Sequence, residues 1–269
     1  MKTTPHLTCV PIGGLCNRMR AMASAAWMTE RLGGELTVYW AVNRDCGAAF
    51  GELFQLVERP GAFVLEPKPW QLQLAFSRKK NLFIPGLLRR LCYSSQLVGT
   101  AECIDEQLPA GLRGERPFII SGYSLSAHTD LTALFKPATL LQVRIDAITA
   151  RFSGNTIGIH IRRGDNQQSI DHNSPSDYID FMERQLVESP TINFYIASDS
   201  PALKQELVAR FPGSVILNDS LLERHSVDGM KDAVVDLWCL ASTNRIVGSY
   251  FSSYSDIAAE MGGIPLTIL

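Results

Sequence analysis

The sequence predicts an α/β protein of two halves, each a largely parallel sheet covered by helices, facing each other across a cleft. Three observations carry this. The chain opens with a strand, a glycine turn, a helix and a second strand. From Thr156 onward, apolar strands and amphipathic helices alternate without interruption. A polar break, Arg151-Phe-Ser-Gly-Asn155, divides the two regions. The halves are placed at residues 1–152 and 153–269, and 46% hydrophobic residues suffice for a full core.

The first strand is Leu7–Ile12, followed by the turn Gly13-Gly14-Leu15 and a helix over Asn17–Leu32. Met19, Met22, Ala23, Ala26 and Trp27 share one face of that helix at core-packing spacing, and Gly33-Gly34 stops it before strand Glu35–Trp40. Between Asn43 and Gly114 the pattern breaks into short apolar runs interrupted by Pro60, Pro67, Pro69, Pro85 and Pro109, and no element is assigned. A strand at Phe118–Gly122 and a helix around Leu131–Phe152 close the half. The second half reads strand Thr156–Arg162, helix Ser176–Val187, strand Ile192–Ala197, helix Ala202–Phe211 and strand Ser214–Leu217. Helix Met230–Ser242, strand Arg245–Gly248, helix Ser253–Met261 and strand Pro265–Leu269 follow. No internal repeat is visible.

Composition excludes several classes. A formal net charge of −2 gives no general attraction to nucleic acid or anionic membrane, so anion recognition must be local. The cysteines, Cys9, Cys16, Cys46, Cys92, Cys103 and Cys239, lack Cys-x-x-Cys or Cys/His spacing, which predicts free thiols in a reducing compartment rather than disulfides or zinc. The N-terminus carries no long apolar signal segment, and no stretch approaches the ~20 apolar residues of a membrane span. A cytoplasmic location is expected. The segment Phe76–Arg90 mixes basic and apolar residues, as in a solvated loop or a peripheral contact with a membrane surface or anionic acceptor.

The most informative stretch is Thr156-Ile-Gly-Ile-His160-Ile-Arg162-Arg163-Gly164-Asp165. Strand alternation puts His160 and Arg162 on one face with Gly158, and Arg163 on the other with Ile159 and Ile161. Ligands of open α/β sheets sit beyond the carboxyl ends of the strands, where Arg162 falls. Its planar fork suits a pair of phosphate oxygens, so a phosphate-bearing ligand is expected, with a surface salt-bridge cluster as the alternative.

Three further turns share that sheet-edge logic. Gly13-Gly14-Leu15-Cys16-Asn17-Arg18 lets backbone approach a ligand at a helix start, or is a tight turn capped by Asn17. It fits neither the dinucleotide fingerprint nor a P-loop. In Ala197-Ser198-Asp199-Ser200-Pro201, Asp199 or Ser200 reads first as a helix cap, and Asp199 is also a candidate ligand contact. Gly248-Ser249-Tyr250-Phe251-Ser252-Ser253-Tyr254-Ser255 gathers hydroxyls and amides at another helix start, a second anion site. Asp236 lies within a helix beside Val235, Leu237 and Trp238; it faces solvent with Asp232 or accepts hydrogen bonds from a ligand. No metal cluster and no Gly-x-Ser-x-Gly elbow is present in the sequence.

Taken together, these motifs resemble the fucosyltransferase superfamily of α1,2- and α1,6-fucosyltransferases, nodulation fucosyltransferases and protein O-fucosyltransferases. The resemblance rests on Gly13, Gly14, Asn17 and Arg18, on His160, Arg162, Arg163 and Asp165, and on a block from Asp236-Leu-Trp through Ile246-Val-Gly-Ser to Ser252-Ser253-Tyr254-Ser255. It implies a GT-B-type fold of two Rossmann-like halves, residues 1–152 on the acceptor side and 153–269 on the donor side. It also implies GDP-fucose as donor substrate, a glycan acceptor, inversion at the sugar carbon, and neither metal nor other cofactor. Residue by residue, Arg162 resembles the β-phosphate ligand, His160 and Asp236 the guanine contacts, and Ser252, Ser253 and Tyr254 the phosphate-binding turn. Gly14 and Asn17 resemble contacts from the N-terminal half.

One position departs from the α1,6 branch, where a glutamate lies ten residues beyond the motif histidine; here that position is Ile170. Asp171, in the polar loop Asn166–Asn173, and Asp165, within the motif, are the candidate general bases, with His172 a weaker option. The alternatives are transfer from another GDP-sugar and a nucleotide-sugar-binding protein without turnover.

Overall fold

A computed structural model of the chain describes residues 4–55, 62–65, 86–98, 112, 114–126, 130–164, 171–219 and 223–269. Contacts divide the chain into two units, Met1–Lys136 with Arg224–Met230, and Pro137–Glu223 with Lys231–Leu269. The expected boundary after residue 152 therefore moves to Lys136/Pro137. The expected helix Leu131–Phe152 explains the shift. It is two helices, Leu131–Leu134 and Thr139–Thr149, separated by the short strand Lys136–Pro137. Pro137 lacks the amide hydrogen a helix needs and its ring collides with the preceding turn. The second helix then belongs to the second unit, where Arg144 bonds Asp232 at 2.5 Å and Asn218 at 3.3 Å.

The strands of the first unit are β1 (His6–Pro11), β2 (Glu35–Tyr39), the short β3 (Phe54–Gln55), β4 (Ala62–Leu65), β5 (Ser95–Val98) and β6 (Pro117–Ser121), with β7 (Lys136–Pro137) at its end. A parallel sheet runs in the order β4-β2-β1-β6-β5. The unassigned stretch of the sequence thus supplies both edge strands. Helix Leu15–Leu32 packs Met19, Met22, Ala23 and Ala26 inward and ends at Gly33, whose φ of 61° requires the left-handed region. Trp27, expected in that core, is only partly buried and lies under the Arg31 guanidinium at 4.8 Å. Trp40, Phe50, Phe54 and Phe135 form an aromatic cluster with centroids 5.1–6.3 Å apart.

The strands of the second unit are β8 (Thr156–Ile161), β9 (Asn193–Ser198), β10 (Val215–Leu217), β11 (Arg245–Gly248) and β12 (Leu266–Ile268), in the order β10-β9-β8-β11-β12 and all parallel. Ile157, Ile159 and Ile161 pack with Tyr178 and Met182 of helix Pro175–Glu188 and with Leu203 and Leu207 of helix Pro201–Arg210. Gly158 points the other way. A Cβ there would lie 2.8 Å from Thr243 Oγ1 and 3.0 Å from Leu240 Cδ2, so glycine lets helix Val227–Ala241 close on the sheet. In each sheet the strand order departs in opposite directions from a central strand, β1 or β8. Such switch points are where α/β sheets open a crevice.

No helix among the described residues is long and apolar enough to cross a membrane. The described cysteines are free, four of them buried and Cys92 exposed. Within the basic stretch noted in the sequence, residues 76–85 lie outside the described residues; the rest begins helix Gly86–Cys92, which exposes Leu87 and Leu91.

Candidate functional site

The end of β8 is held from both sides by side chains rather than by the sheet ladder. The β8–β11 pairing ends at Ile159↔Val247. Beyond it, Ser249 Oγ accepts the Arg162 N–H at 2.8 Å and donates to the His160 carbonyl at 3.0 Å. Tyr178, buried below, places its hydroxyl 3.1 Å from the same Ser249 oxygen. On the other side the β8–β9 pairing runs to Ile161↔Ser198. There the Asp199 carboxylate accepts the Arg163 N–H at 2.6 Å and the Gly164 N–H at 3.0 Å. A Cβ on Gly164 would lie 2.7 Å from Asp199 Oδ2. Arg162 therefore leaves the central strand on a backbone fixed by its neighbours.

This settles the work of Asp199. It does not cap the following helix: Ser200 does, accepting the Leu203 N–H at 3.4 Å. Arg163, on the opposite face as strand parity requires, donates to the Asn173 carbonyl at 3.0 Å. The side chain of Asn173, itself buried, ties to the Leu269 carbonyl. Tyr178 and Asn173 were not singled out from the sequence, whereas Ser249 lay in the hydroxyl-rich turn read as an anion site. Only Ser249 had a legible signal, a hydroxyl placed directly after a strand.

Helix Ser253–Gly262 starts at this same sheet edge, with Ser252 as its N-cap. The first amides of a helix lack intrahelical acceptors, and the Ser252 hydroxyl makes no cap bond to them. The turn offers dipole and amides to an anion at the edge where β8 ends. Tyr254 spends its hydroxyl on the Ala233 carbonyl at 2.5 Å, while its ring stacks on His160 at 4.9 Å. His160 Nδ1 bonds Ser255 Oγ at 2.7 Å. Burial, reinforced by the nearby Arg162 charge, pushes the His160 imidazole down to about 3, so it is neutral.

Asp236 is not at the edge. It is fully buried, accepts from Tyr195 at 2.5 Å, and lies 4.0 Å from Lys204 Nζ. Burial raises its carboxyl to about 6 despite Lys204 and Tyr195, which pull it the other way. Its Oδ1 is taken by Tyr195, while Oδ2 has no hydrogen-bond donor among the described residues.

In the first unit the Gly13–Gly14 turn leaves β1 at its switch point. Gly14, not Asn17, is the N-cap of the helix, and it contributes no side-chain bond. Gly13 has φ 84°, and a Cβ there would lie 2.9 Å from Asn17 Nδ2. Arg18 is wholly buried and clamps the turn. Its guanidinium donates to the Gly13 carbonyl (2.8 Å), the Ala41 carbonyl (2.6 Å) and Asn43 Oδ1 (2.9 Å). Asn17 Oδ1 is enclosed without a hydrogen-bond donor among the described residues.

Of the candidate bases, Asp171 is exposed, whereas Asp165 lies outside the described residues. His172 is exposed with its ring 4.2 Å from that of Tyr250. Among the described residues no group of three His, Cys, Asp or Glu side chains is arranged to hold a metal ion.

No family model and no curated protein sequence matches the chain. Solved structures do. The fucosyltransferase NodZ from Bradyrhizobium shares 18% identity at a TM-score of 0.65, covering 96% of this chain and 92% of that one. A mutant of Arabidopsis thaliana FUT1 in complex with GDP shares 13% at 0.63, covering 99% and 70%. POFUT1 in complex with GDP shares 8% at 0.54, covering 100% and 99%. The mixed α/β fold with its parallel sheets, expected from the alternation of strands and helices, is thus the fold of these fucosyltransferases.

Proposed function

We propose that this chain is a glycosyltransferase that moves fucose from GDP-fucose to a saccharide acceptor with inversion, its two units paired in the GT-B manner. The observation that carries the reading is Arg162, its backbone fixed through Ser249 and Asp199 at the switch point of the second sheet, on the strand whose His160 meets Tyr254 and Ser255 of the Ser252-capped helix. Proteins of this fold were crystallised with GDP, and NodZ was also soaked with GDP-fucose. The second unit is the donor side and the first the acceptor side, with Gly14 and Asn17 as further donor contacts.

The chemistry then follows from charge. As the acceptor hydroxyl attacks the anomeric carbon, negative charge gathers on the departing diphosphate. The Arg162 fork and the amides of Ser253 and Tyr254 meet that charge without reorganising. Asp171, or Asp165, takes the hydroxyl proton. His160, neutral and packed between Tyr254 and Ser255, holds the helix start against β8. No divalent ion is required, because fixed cationic and dipolar groups occupy its electrostatic role.

A thermal-shift series tests this: GDP should raise the unfolding midpoint, and UDP or ADP should not, since a ligand that binds only the folded state stabilises it by mass action. Proton NMR of the product from GDP-fucose and a glycan acceptor would then show the inverted anomer. Equal stabilisation by all three nucleotides contradicts the proposal.

A further inference from the structure

We propose that Tyr250, backed by the His172 ring, and Phe251 form a stacking platform on the second unit for the face of an acceptor sugar ring. The inference rests on the donor reading above and adds to it a recognition element that the sequence placed wholly in the first half. Its starting point is Phe251, at φ 51° the one non-glycine residue with positive φ among the described residues, and 71% exposed. A bulky side chain in the left-handed region costs roughly 1–2 kcal/mol. Leaving it in water also forfeits the gain from burial. Folding stability favours neither feature, and strained, exposed positions of this kind collect at ligand sites.

Phe251 is not alone. Tyr250 is 43% exposed, its ring centroid 6.3 Å from that of Phe251 and 4.2 Å from that of the exposed His172. At 4.2 Å and 33° the imidazole lies over one face of the Tyr250 ring and backs it, so the surface left to a ligand is the tyrosine ring with Phe251 beside it, their planes 37° apart. The Tyr250 N–H reaches Asn173 Oδ1 at 3.5 Å, and Asn173 is anchored in turn to Leu269 and Arg163.

The chemistry of this surface suits a saccharide. Aromatic faces carry the negative lobe of a quadrupole, which matches the polarised C–H groups on one face of a pyranose. The hydroxyls then project around the rim, where they keep their water. A planar base gains most from an enclosed slot, which tilted and water-facing rings do not provide. Asp171, exposed and adjacent to His172, offers acceptor oxygens for those hydroxyls. Phe251 immediately precedes Ser252, so a sugar on the platform lies next to the anion-binding helix start.

Saturation-transfer NMR on the full chain without nucleotide tests the assignment, using an equimolar mixture of lactose, cellotetraose, maltotetraose and chitotetraose. Saturating the protein's aromatic protons should label C–H protons of at least one of these probes. Tyr250→Ala and Phe251→Asn should each weaken that binding about threefold to tenfold, the worth of one ring contact. Asn tolerates the left-handed region, so the second variant keeps the backbone and removes only the ring. The proposal is overturned if no probe is labelled, if both variants bind as the parent does, or if they lose GDP instead of saccharide. GDP titration of the same samples separates the two readings. A parent that fails to bind GDP defeats the donor reading, whereas intact GDP binding without saccharide binding defeats the platform alone.

Discussion

Arg162 has its backbone held from two neighbouring strands, so a substitution there changes the guanidinium and little else. Arg162→Ala should lose about 1.5–3 kcal/mol of GDP affinity, the worth of charged hydrogen bonds. Arg162→Lys should recover little, because a point charge cannot reproduce a two-pronged fork. Calorimetric titration with unchanged melting temperature would support this, and parental affinity in either variant would sink it. The buried pair behind it, His160 and Asp236, makes a prediction about acid stability. The His160 imidazole falls from 6.5 to about 3 on folding, so its contribution is present above pH 6.5 and is lost as pH drops through that window. The Asp236 carboxyl rises from 3.8 to about 6, so its contribution is present below pH 3.8 and is lost as pH climbs to about 6. Relative to the parent, His160→Gln should gain stability as pH is lowered, and Asp236→Asn should gain as pH is raised. Urea unfolding at a series of pH values reads both slopes.

The two strand-to-helix turns use glycine differently, and substitution separates the uses. Gly13 sits at φ 84° with Asn17 where its Cβ would be, so Gly13→Ala should destabilise the first unit by about 1–2 kcal/mol. Gly14 has ordinary extended φ and nothing nearer than the Asp45 carbonyl at 3.8 Å. Gly14→Ala should therefore fold and melt like the parent, yet weaken GDP binding, because a methyl group would stand where ligand approaches backbone. A variant that neither unfolds earlier nor binds GDP less tightly would remove this turn from the donor site. After Ser252, Tyr254 and Ser255 spend their side chains on Ala233 and His160, which leaves the helix amides and dipole to the proposed anion site.

For the molecule as a whole, the proposed reaction draws its electrostatic stabilisation from protein groups. Transfer from GDP-fucose should proceed at the same rate with EDTA present; activity lost to the chelator and restored by magnesium or manganese would contradict this. The proposed reaction also gives the acceptor's proton to a carboxylate beyond β8. Asp171→Asn should lower turnover by about 10²–10⁴-fold, the usual worth of a general base, with GDP affinity intact. Unchanged turnover would pass the role to Asp165.

Periodicity and punctuation in the sequence determined nearly every strand and helix of the second unit, because each element there shows its own apolar pattern with glycine or proline at its ends. They also determined the faces of β8: Ile157, Ile159 and Ile161 enter one core while Gly158 and His160 meet the opposite helices. The edge strands β4 and β5 were hidden, since short strands within a proline-broken stretch carry too few residues for a period to emerge. Local pattern likewise missed the break at Pro137 inside an apparently continuous helix. Partnership was decided only by the tertiary structure. Asp199 reads as a helix cap until β9 sets it beside the amides of Arg163 and Gly164, and the alternative of a solvent-facing Asp236 falls once Tyr195 and Lys204 are seen to enclose it. A side chain's type and spacing state what it can bond. Which group it meets depends on residues far along the chain, and only the packed sheets bring those together.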